Sequence, residues 1–213
     1  MKSLSSTTFY IIRHGQTEWN VKNLLHGGGS NTPLNETGKK QAEEIAKVLK
    51  DIHFDEIFSS DLERSIETVK GIALERSLTI KTSEALREKN YGKYEGRHRL
   101  EVKDELKDIF TNWEKLNDSE KMKFRVYETG ETDEEAITRF MRHLRELSVV
   151  YPGKTLLIAA HGGIMRYLLI KLGWGTYEEL DPASVPNTSY IKLECDSVDF
   201  SIIETYQIVK AKK

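Results

Sequence analysis

The chain has 213 residues, of which 32 are Lys or Arg and 34 are Asp or Glu, giving a formal net charge of -2 at pH 7. This balance excludes a long-range attraction to nucleic acid or acidic membranes, so an anion would have to bind at a local cluster of basic side chains. The apolar fraction of 38% is typical of a chain that buries a core, and no apolar stretch is long enough to span a bilayer or form a secretory signal. We therefore expect a single cytoplasmic domain over residues 1–213, without nucleic-acid or membrane partners.

Strand-like apolar runs alternate with helical patterns along most of the chain. The first half predicts a strand over 7–13, a helix over 37–51, a strand over 55–59, a helix over 61–77 and a short strand over 79–82. The second half predicts a helix over 132–150, a strand over 155–160, a helix over 163–172 and final strands over 189–194 and 200–206. Such alternation is typical of a three-layer α/β/α sandwich, in which helices cover both faces of a largely parallel sheet.

Two of the predicted helices begin with capping-box sequences, Ser60-x-x-Glu63 and Thr132-x-x-Glu135. In such a box the hydroxyl and the carboxylate each accept a hydrogen bond from a free backbone amide. With Ser60 as the N-cap, Arg64 lies in the opening turns of its helix and can point to the sheet edge where strand 55–59 ends.

Residues 97–128 interrupt the alternation with a segment that is rich in Lys and Glu but also contains several aromatic side chains. The aromatic content argues against a disordered linker, and a helical lid resting on the sheet edge fits it. A solvated helical excursion that packs its own aromatic side chains fits the same pattern, so both interpretations stay open. The single cysteine, Cys195, lies in a strand-like run and is expected to be a packed thiol.

Two predicted strands end in a histidine that is followed by glycine. The motifs are Arg13-His14-Gly15 and His161-Gly162-Gly163. Since ligands of open α/β sheets bind beyond the carboxyl ends of the strands, the two motifs outline an anion site. A neutral imidazole can attack phosphorus, an arginine fork can pair with two phosphoryl oxygens, and the open amides of Gly162 and Gly163 favour an anion. The chemistry indicated is phosphoryl transfer.

Each of these residues also has an ordinary structural explanation. A histidine at a strand end is often only hydrogen-bonded in place, and Arg64 alone would be a solvated helix residue. The hypothesis of phosphoryl transfer therefore rests on the occurrence of these residues together at one edge of the sheet. A metal site is the rival use of the histidines. None of them has a His-x-x-x-His partner, which makes phosphate the favoured ligand and predicts no metal. The six are His14, His26, His53, His98, His143 and His161.

The stretch from Arg13 to Asn20, Arg-His-Gly-Gln-Thr-Glu-Trp-Asn, resembles the signature of the histidine phosphatase superfamily. That family contains cofactor-dependent phosphoglycerate mutases, fructose-2,6-bisphosphatases and broad-specificity phosphatases. The resemblance continues in the same order through residues 33–38, 41–42, 59–64, 86–88, 91–92, 95–96, 130–132 and 161–163. It implies the phosphoglycerate mutase-like fold, no cofactor and a small phosphorylated substrate.

The resemblance also implies a role for individual residues. His14 would be the nucleophile that becomes phosphohistidine, with Arg13, Arg64 and His161 around the transferred group. Glu88 would protonate the leaving oxygen and then activate water. The matching substrate-binding positions are Asn20, Gln16, Thr17, His26, Gly27 and Gly162.

Mutases of this family carry a tryptophan followed by two arginines in the lid, where this chain reads Trp113-Glu114-Lys115. We therefore expect metal-independent hydrolysis of phosphate monoesters of small metabolites. A cofactor-dependent phosphoglycerate mutase and a non-catalytic module that binds phosphorylated ligands stay open as alternatives. The run Gly27-Gly28-Gly29 predicts a wide or mobile entrance. Neither the substrate nor the oligomeric state, a homodimer included, follows from the sequence.

Overall fold

The computed structural model describes residues 6–211, and six strands form one sheet in the order β3-β2-β4-β1-β5-β6. The strands are β1 (Thr7–Arg13), β2 (Glu56–Ser59), β3 (Ile80–Thr82), β4 (Thr155–Ala160), β5 (Tyr190–Cys195) and β6 (Phe200–Tyr206). The strands from β3 to β1 pair in parallel, whereas β5 pairs antiparallel with both β1 and β6. The predicted largely parallel sheet is confirmed.

Eight α-helices accompany the sheet within the described residues. They are α1 (Glu18–Val21), α2 (Glu36–Val48), α3 (Glu63–Glu75), α4 (Arg99–Glu105), α5 (Lys107–Glu114), α6 (Asp118–Lys123), α7 (Asp133–Val150) and α8 (Gly162–Lys171). Short 3-10 turns lie at Glu84–Leu86 and Gly92–Tyr94. None of the helices in this part of the chain is long and apolar enough to cross a membrane.

The central strand β1 is apolar on both faces because helices cover both. Phe9 and Ile11 pack in the core beneath α7 and α8, while Tyr10 and Ile12 pack in the core beneath α2 and α3. Successive side chains of a strand point to opposite faces, so a strand in the middle layer reads as one continuous apolar run. The three-layer α/β/α architecture is therefore confirmed.

The segment 97–128 folds into the short helices α4, α5 and α6. Together with residues outside the segment, it encloses a small core of its own that includes Tyr94, Val102 and Tyr127. The packing of its own aromatic side chains is thus observed, and side chains of α4 and α5 also face the cavity described below. That it opens and closes as a lid stays a prediction.

One of the two predicted capping boxes is confirmed and the other is wrong. Thr132 caps α7, with its side chain accepting from the amide of Glu135. Helix α3 instead begins at Glu63 with Leu62 as its N-cap and no side-chain cap, because the hydroxyl of Ser60 is bonded elsewhere. Helix α1, which the sequence did not predict, begins with a capping box at Thr17. Cys195 is 1% exposed, which confirms a packed thiol.

Candidate functional site

The carboxyl ends of β1 and β4 lie side by side, because Arg13 pairs with Ala160 in the parallel register. His14 and His161 are the next residues, and their ring centroids are 5.3 Å apart. The amide of His14 also donates to the carbonyl of Ala160 over 3.1 Å, which locks the two strand ends together. The juxtaposition expected from the two His-Gly motifs is therefore observed.

His14 is buried, and its Nδ1 lies 2.7 Å from the carbonyl oxygen of Gly15. A carbonyl can only accept, so Nδ1 carries the ring proton and Nε2 carries the lone pair. Burial, reinforced by the nearby charges of Arg64 and Arg13, lowers the pKa of His14 well below 6.5. The ring is therefore neutral at physiological pH, with Nε2 in the state that a nucleophile requires.

His161 is fully buried, and its Nε2 lies 2.8 Å from the hydroxyl of Ser60. This contact explains why Ser60 does not cap α3. Burial, followed by the charge of Arg64 and the ring of His14, lowers the pKa of His161 well below 6.5. Without a bound anion, this ring is neutral as well.

Arg64 lies in the first turn of α3 and is fully buried. Its Nη1 donates to the carbonyl of Ser30 over 2.7 Å and its Nη2 to that of Gly27 over 3.1 Å. Arg13 donates through Nη1 to the carbonyl of Val185. Burial lowers the pKa of both guanidinium groups to about 10, which leaves both charged at physiological pH.

Three buried nitrogens at this edge have no hydrogen-bond partner among the described residues: Nε of Arg13, Nε of Arg64 and Nδ1 of His161. Unpaired buried polar atoms are uncommon and costly. A tetrahedral oxyanion could accept from several donors at once, and the two arginines would neutralise its charge. The edge thus fits a phosphoryl group. No group of three or more His, Cys, Asp or Glu side chains within 6–211 is arranged to hold a metal ion.

Glu88 is buried and joins the site from an irregular segment between the two 3-10 turns. Its Oε2 accepts from the amide of Gly163 over 2.7 Å, and its Oε1 accepts from the amide of Ile164 over 3.0 Å. The first amides of a helix have no partner within the helix, and the oxygens of a carboxyl group can accept from them. The amides predicted to bind an anion at the start of α8 are thus, in part, bound by the protein's own Glu88.

The two glycines at the start of α8 are required by close packing. A Cβ on Gly162 would lie 2.9 Å from Nε of Arg13, and a Cβ on Gly163 would lie 2.6 Å from Oε1 of Glu88. A larger residue at either position would displace the side chain of Arg13 or of Glu88.

The remaining predicted residues divide into two groups. Asn20, His26 and Gly162 line a cavity of about 410 Å³ together with Arg13, His14 and Glu88. Gln16, Thr17 and Gly27 do not line this cavity in the described part of the chain. Thr17 caps α1 and Gln16 receives a hydrogen bond from the Asn35 side chain over 3.0 Å. A substrate-binding role for these three residues stays a prediction.

His26 is held between two threonines. Its Nε2 lies 2.9 Å from Oγ1 of Thr32, and its Nδ1 lies 3.4 Å from Oγ1 of Thr17. Burial, with the charges of Arg64 and Arg13, lowers the pKa of His26 to about 2, so it presents a neutral ring 5.8 Å from that of His14.

The glycine run at 27–29 is closely packed, contrary to the expected open entrance. A Cβ on Gly27 would lie 2.2 Å from Oε1 of Glu95, and a Cβ on Gly28 would lie 2.5 Å from the carbonyl of Glu88. The amide of Gly28 also donates to the carbonyl of Lys89 over 3.1 Å. These glycines permit close contact between two loops.

Beyond the phosphoryl edge, the cavity is walled by aromatic side chains of the segment 97–128 and its neighbours. They are Tyr91, Phe110, Trp113, Tyr127, Tyr167 and Tyr177. Lys89 also lines the cavity, but its Nζ is paired with Oδ1 of Asp133 at 2.5 Å, and Tyr177 donates to Oδ2 of the same carboxylate over 2.6 Å. This charge is therefore neutralised within the wall.

Sequence reasoning missed Asn187 and the pair Lys89–Asp133. The side-chain amide of Asn187 donates to the carbonyl of His14 over 2.8 Å and fixes the backbone of the candidate nucleophile. Its position just before the predicted strand at 189–194 was a weak signal. No local pattern marked Lys89 and Asp133, because they are 44 residues apart.

Known proteins are similar to this chain in sequence and in fold. The family model of the histidine phosphatase superfamily (branch 1) matches residues 9–207. The uncharacterized phosphatase PhoE of Bacillus subtilis is 31% identical over 172 residues, which cover 81% of this chain and 80% of that protein. The 2,3-bisphosphoglycerate-dependent phosphoglycerate mutase of Cytophaga hutchinsonii is 34% identical over 179 residues, covering 82% and 79%. The crystal structure of a phosphoglycerate mutase from Bacillus anthracis has a TM-score of 0.80 at 24% identity, covering 97% of this chain and 95% of that one.

The fold is thus that of the phosphoglycerate mutase-like α/β proteins. The chain belongs to the histidine phosphatase superfamily, branch 1, and the resemblance seen in its motifs is confirmed.

Proposed function

We propose that this protein hydrolyses phosphate monoesters of small metabolites through a phosphohistidine formed on His14. The observation that carries the proposal is the state of His14, a neutral ring whose Nδ1 proton is held by the carbonyl of Gly15. The positive charges of Arg64 and Arg13 act on this ring, and each of the two arginines has an unpaired buried Nε. This arrangement suits attack on a phosphorus atom whose negative charge must first be neutralised.

In the first step Nε2 of His14 forms a bond to phosphorus while the bond from phosphorus to the ester oxygen breaks. The leaving oxygen takes a proton from the carboxyl group of Glu88, and the alcohol departs. Arg13 and Arg64 stabilise the transferred oxygens throughout, and the carbonyl of Gly15 stabilises the proton on Nδ1 as the ring gains positive charge.

In the second step water attacks the phosphohistidine. The carboxylate of Glu88 takes a proton from this water, the bond between nitrogen and phosphorus breaks, and inorganic phosphate leaves. His14 and Glu88 line the same cavity, so one carboxyl group can serve both steps.

The charges of the outer cavity favour hydrolysis over transfer to a second phosphorylated substrate. Glu114, which stands where the mutase pattern has an arginine, lines the cavity and pairs with Lys103 at 3.4 Å. The charge of Lys89 is likewise matched by Asp133. A cavity that retains a bisphosphorylated intermediate would need unpaired cations at these positions.

A cofactor-dependent mutase is the second candidate. It is supported by Arg99, which lines the cavity and whose side chain has no hydrogen bond or ion pair among the described residues, and by the mutase of Cytophaga hutchinsonii among the relatives. A module that only binds phosphorylated ligands has less support, because His14, Glu88 and both arginines are all in place.

The test is release of inorganic phosphate, with a chelator present, from 3-phosphoglycerate, fructose bisphosphates and p-nitrophenyl phosphate. We expect release by the wild type and by His53→Ala, since His53 has an 86% exposed side chain and lies outside the site, and no release by His14→Ala. Release that survives His14→Ala would overturn the assignment of the nucleophile. Interconversion of phosphoglycerates without phosphate release would favour the mutase.

A further inference from the structure

The segment that carries Glu88 has no regular structure to hold it. Residues 87–91 lie between the 3-10 turns Glu84–Leu86 and Gly92–Tyr94 and belong to neither a helix nor a strand. The position of a general acid decides its efficiency, and a misplacement of about 1 Å can lower the rate about 100-fold. Some other part of the molecule must therefore fix the backbone at Glu88.

Arg139, on helix α7, supplies contacts along this segment. Its Nη1 donates to the carbonyls of Ala85 over 3.0 Å and Arg87 over 3.1 Å, and its Nη2 reaches the carbonyl of Glu88 at 3.4 Å. These acceptors lack partners in a helix or a sheet, so the planar guanidinium takes the place of a strand neighbour.

Glu131 holds both Arg139 and the segment 87–91 in place. Its carboxylate accepts hydrogen bonds from Nε and Nη2 of Arg139, over 3.1 Å and 3.0 Å. The same carboxylate accepts from the amide of Asn90 over 2.9 Å, and the amide of Glu131 donates to the carbonyl of Asn90 over 2.9 Å. The segment is thus held on both sides of Glu88.

Arg139 is not part of the wall of the active-site cavity in the described residues. It lines a neighbouring depression of about 430 Å³, and Glu88 lines both. We infer that Arg139 is a positioning residue, which acts by holding the carboxyl of Glu88 where it protonates the leaving group. The inference rests on the proposed function of Glu88.

The test compares two substrates of nearly equal shape, phenyl phosphate and p-nitrophenyl phosphate, by kcat/KM, which reports the steps up to the first irreversible transfer. Phenolate is the more basic leaving group and needs the proton, whereas p-nitrophenolate leaves readily without it. We expect Arg139→Met to lower kcat/KM for phenyl phosphate about 10- to 100-fold, and that for p-nitrophenyl phosphate less than about threefold. Arg139→Lys keeps the positive charge but loses the planar, forked guanidinium. Its kcat/KM for phenyl phosphate should therefore lie between the values of the wild type and of Arg139→Met.

The control is Arg142→Met, because Arg142 is exposed on the same helix and its side chain has no hydrogen bond or ion pair in residues 6–211. This variant should leave kcat/KM unchanged for both substrates. Equal losses on both substrates, or no loss, in the Arg139 variants would overturn the inference. If Arg139→Met fails to fold, Arg139→Lys decides between the same outcomes.

Glu88→Gln separates the two proposals. A selective loss on phenyl phosphate in Glu88→Gln, without one in the Arg139 variants, overturns only the role of Arg139. Equal losses on both substrates in Glu88→Gln overturn the acid role of Glu88, and the positioning role of Arg139 falls with it.

Discussion

Removal of Lys89 tests the buried ion pair that closes one wall of the cavity. Lys89 is 3% exposed and Asp133 is 6% exposed, and their Nζ and Oδ1 atoms lie 2.5 Å apart. Lys89→Met preserves most of the volume and the contacts with the surrounding tyrosine rings, but it leaves the Asp133 carboxylate with Tyr177 as its remaining side-chain partner. The variant therefore isolates the effect of an uncompensated buried charge.

The expected loss follows from this burial. Breaking a buried ion pair by removing one partner costs about 3–5 kcal/mol in the free energy of unfolding. For a chain of this length each kcal/mol lowers the melting temperature by about 2–4 °C, so Lys89→Met should melt roughly 10 °C below the wild type. Replacing both partners, in Lys89→Met with Asp133→Leu, should recover much of the loss, because an apolar pair needs no compensation.

Thermal unfolding followed by circular dichroism measures the difference. The matched control is Lys93→Met, since Lys93 pairs with Glu128 at 3.5 Å with both side chains more than half exposed, and its loss should cost less than about 1 kcal/mol. A melting temperature of Lys89→Met within the range of Lys93→Met would refute the argument that the buried charge dominates.

Three further outcomes are expected. The pKa values of His14, His26 and His161 are lower in the folded protein than in the unfolded chain, so protonation of these rings favours unfolding. The free energy of unfolding should therefore be retained above about pH 6.5 and fall by about 4 kcal/mol from pH 7.5 to 5.5. Equal urea midpoints at the two pH values would contradict this. Gly163→Ala should displace Glu88 and lower kcat about 100-fold. Its control is Gly71→Ala, in open space on α3, which should keep the activity and raise the free energy of unfolding by about 0.5–1 kcal/mol. Equal activities of the two variants would contradict the close packing at Gly163. Ser60→Ala should lower kcat/KM about 10-fold through His161, whereas a role as helix cap would instead lower stability by about 1 kcal/mol with full activity.

Much of the fold could be predicted because its signals are local. The apolar run of β1 and the capping box at Thr132 are each written within a few neighbouring residues. Prediction failed at Ser60, where the local sequence of a capping box competes with a partner 101 residues away. The hydroxyl bonds to His161, and a sequence window cannot weigh that contact against the helix amides. The prediction of a wide or mobile entrance at the glycine run 27–29 failed for a similar reason, since these glycines allow another loop to pack closely against them.

By itself the sequence determined the order of the six strands and the four longer helices α2, α3, α7 and α8, and it contained the two His-Gly motifs that indicate the family. These depend on side-chain periodicity and on residues adjacent in the chain, and such signals can be read within a short stretch of sequence. Only the tertiary structure decided that Nδ1 of His14 holds the proton and that Glu88 lies at the start of α8. It also decided that the side chain of Arg139 donates hydrogen bonds to the backbone around Glu88. The charge, tautomer and orientation of a buried group are set by whatever surrounds it, and in this protein the surroundings come from segments far apart in the chain.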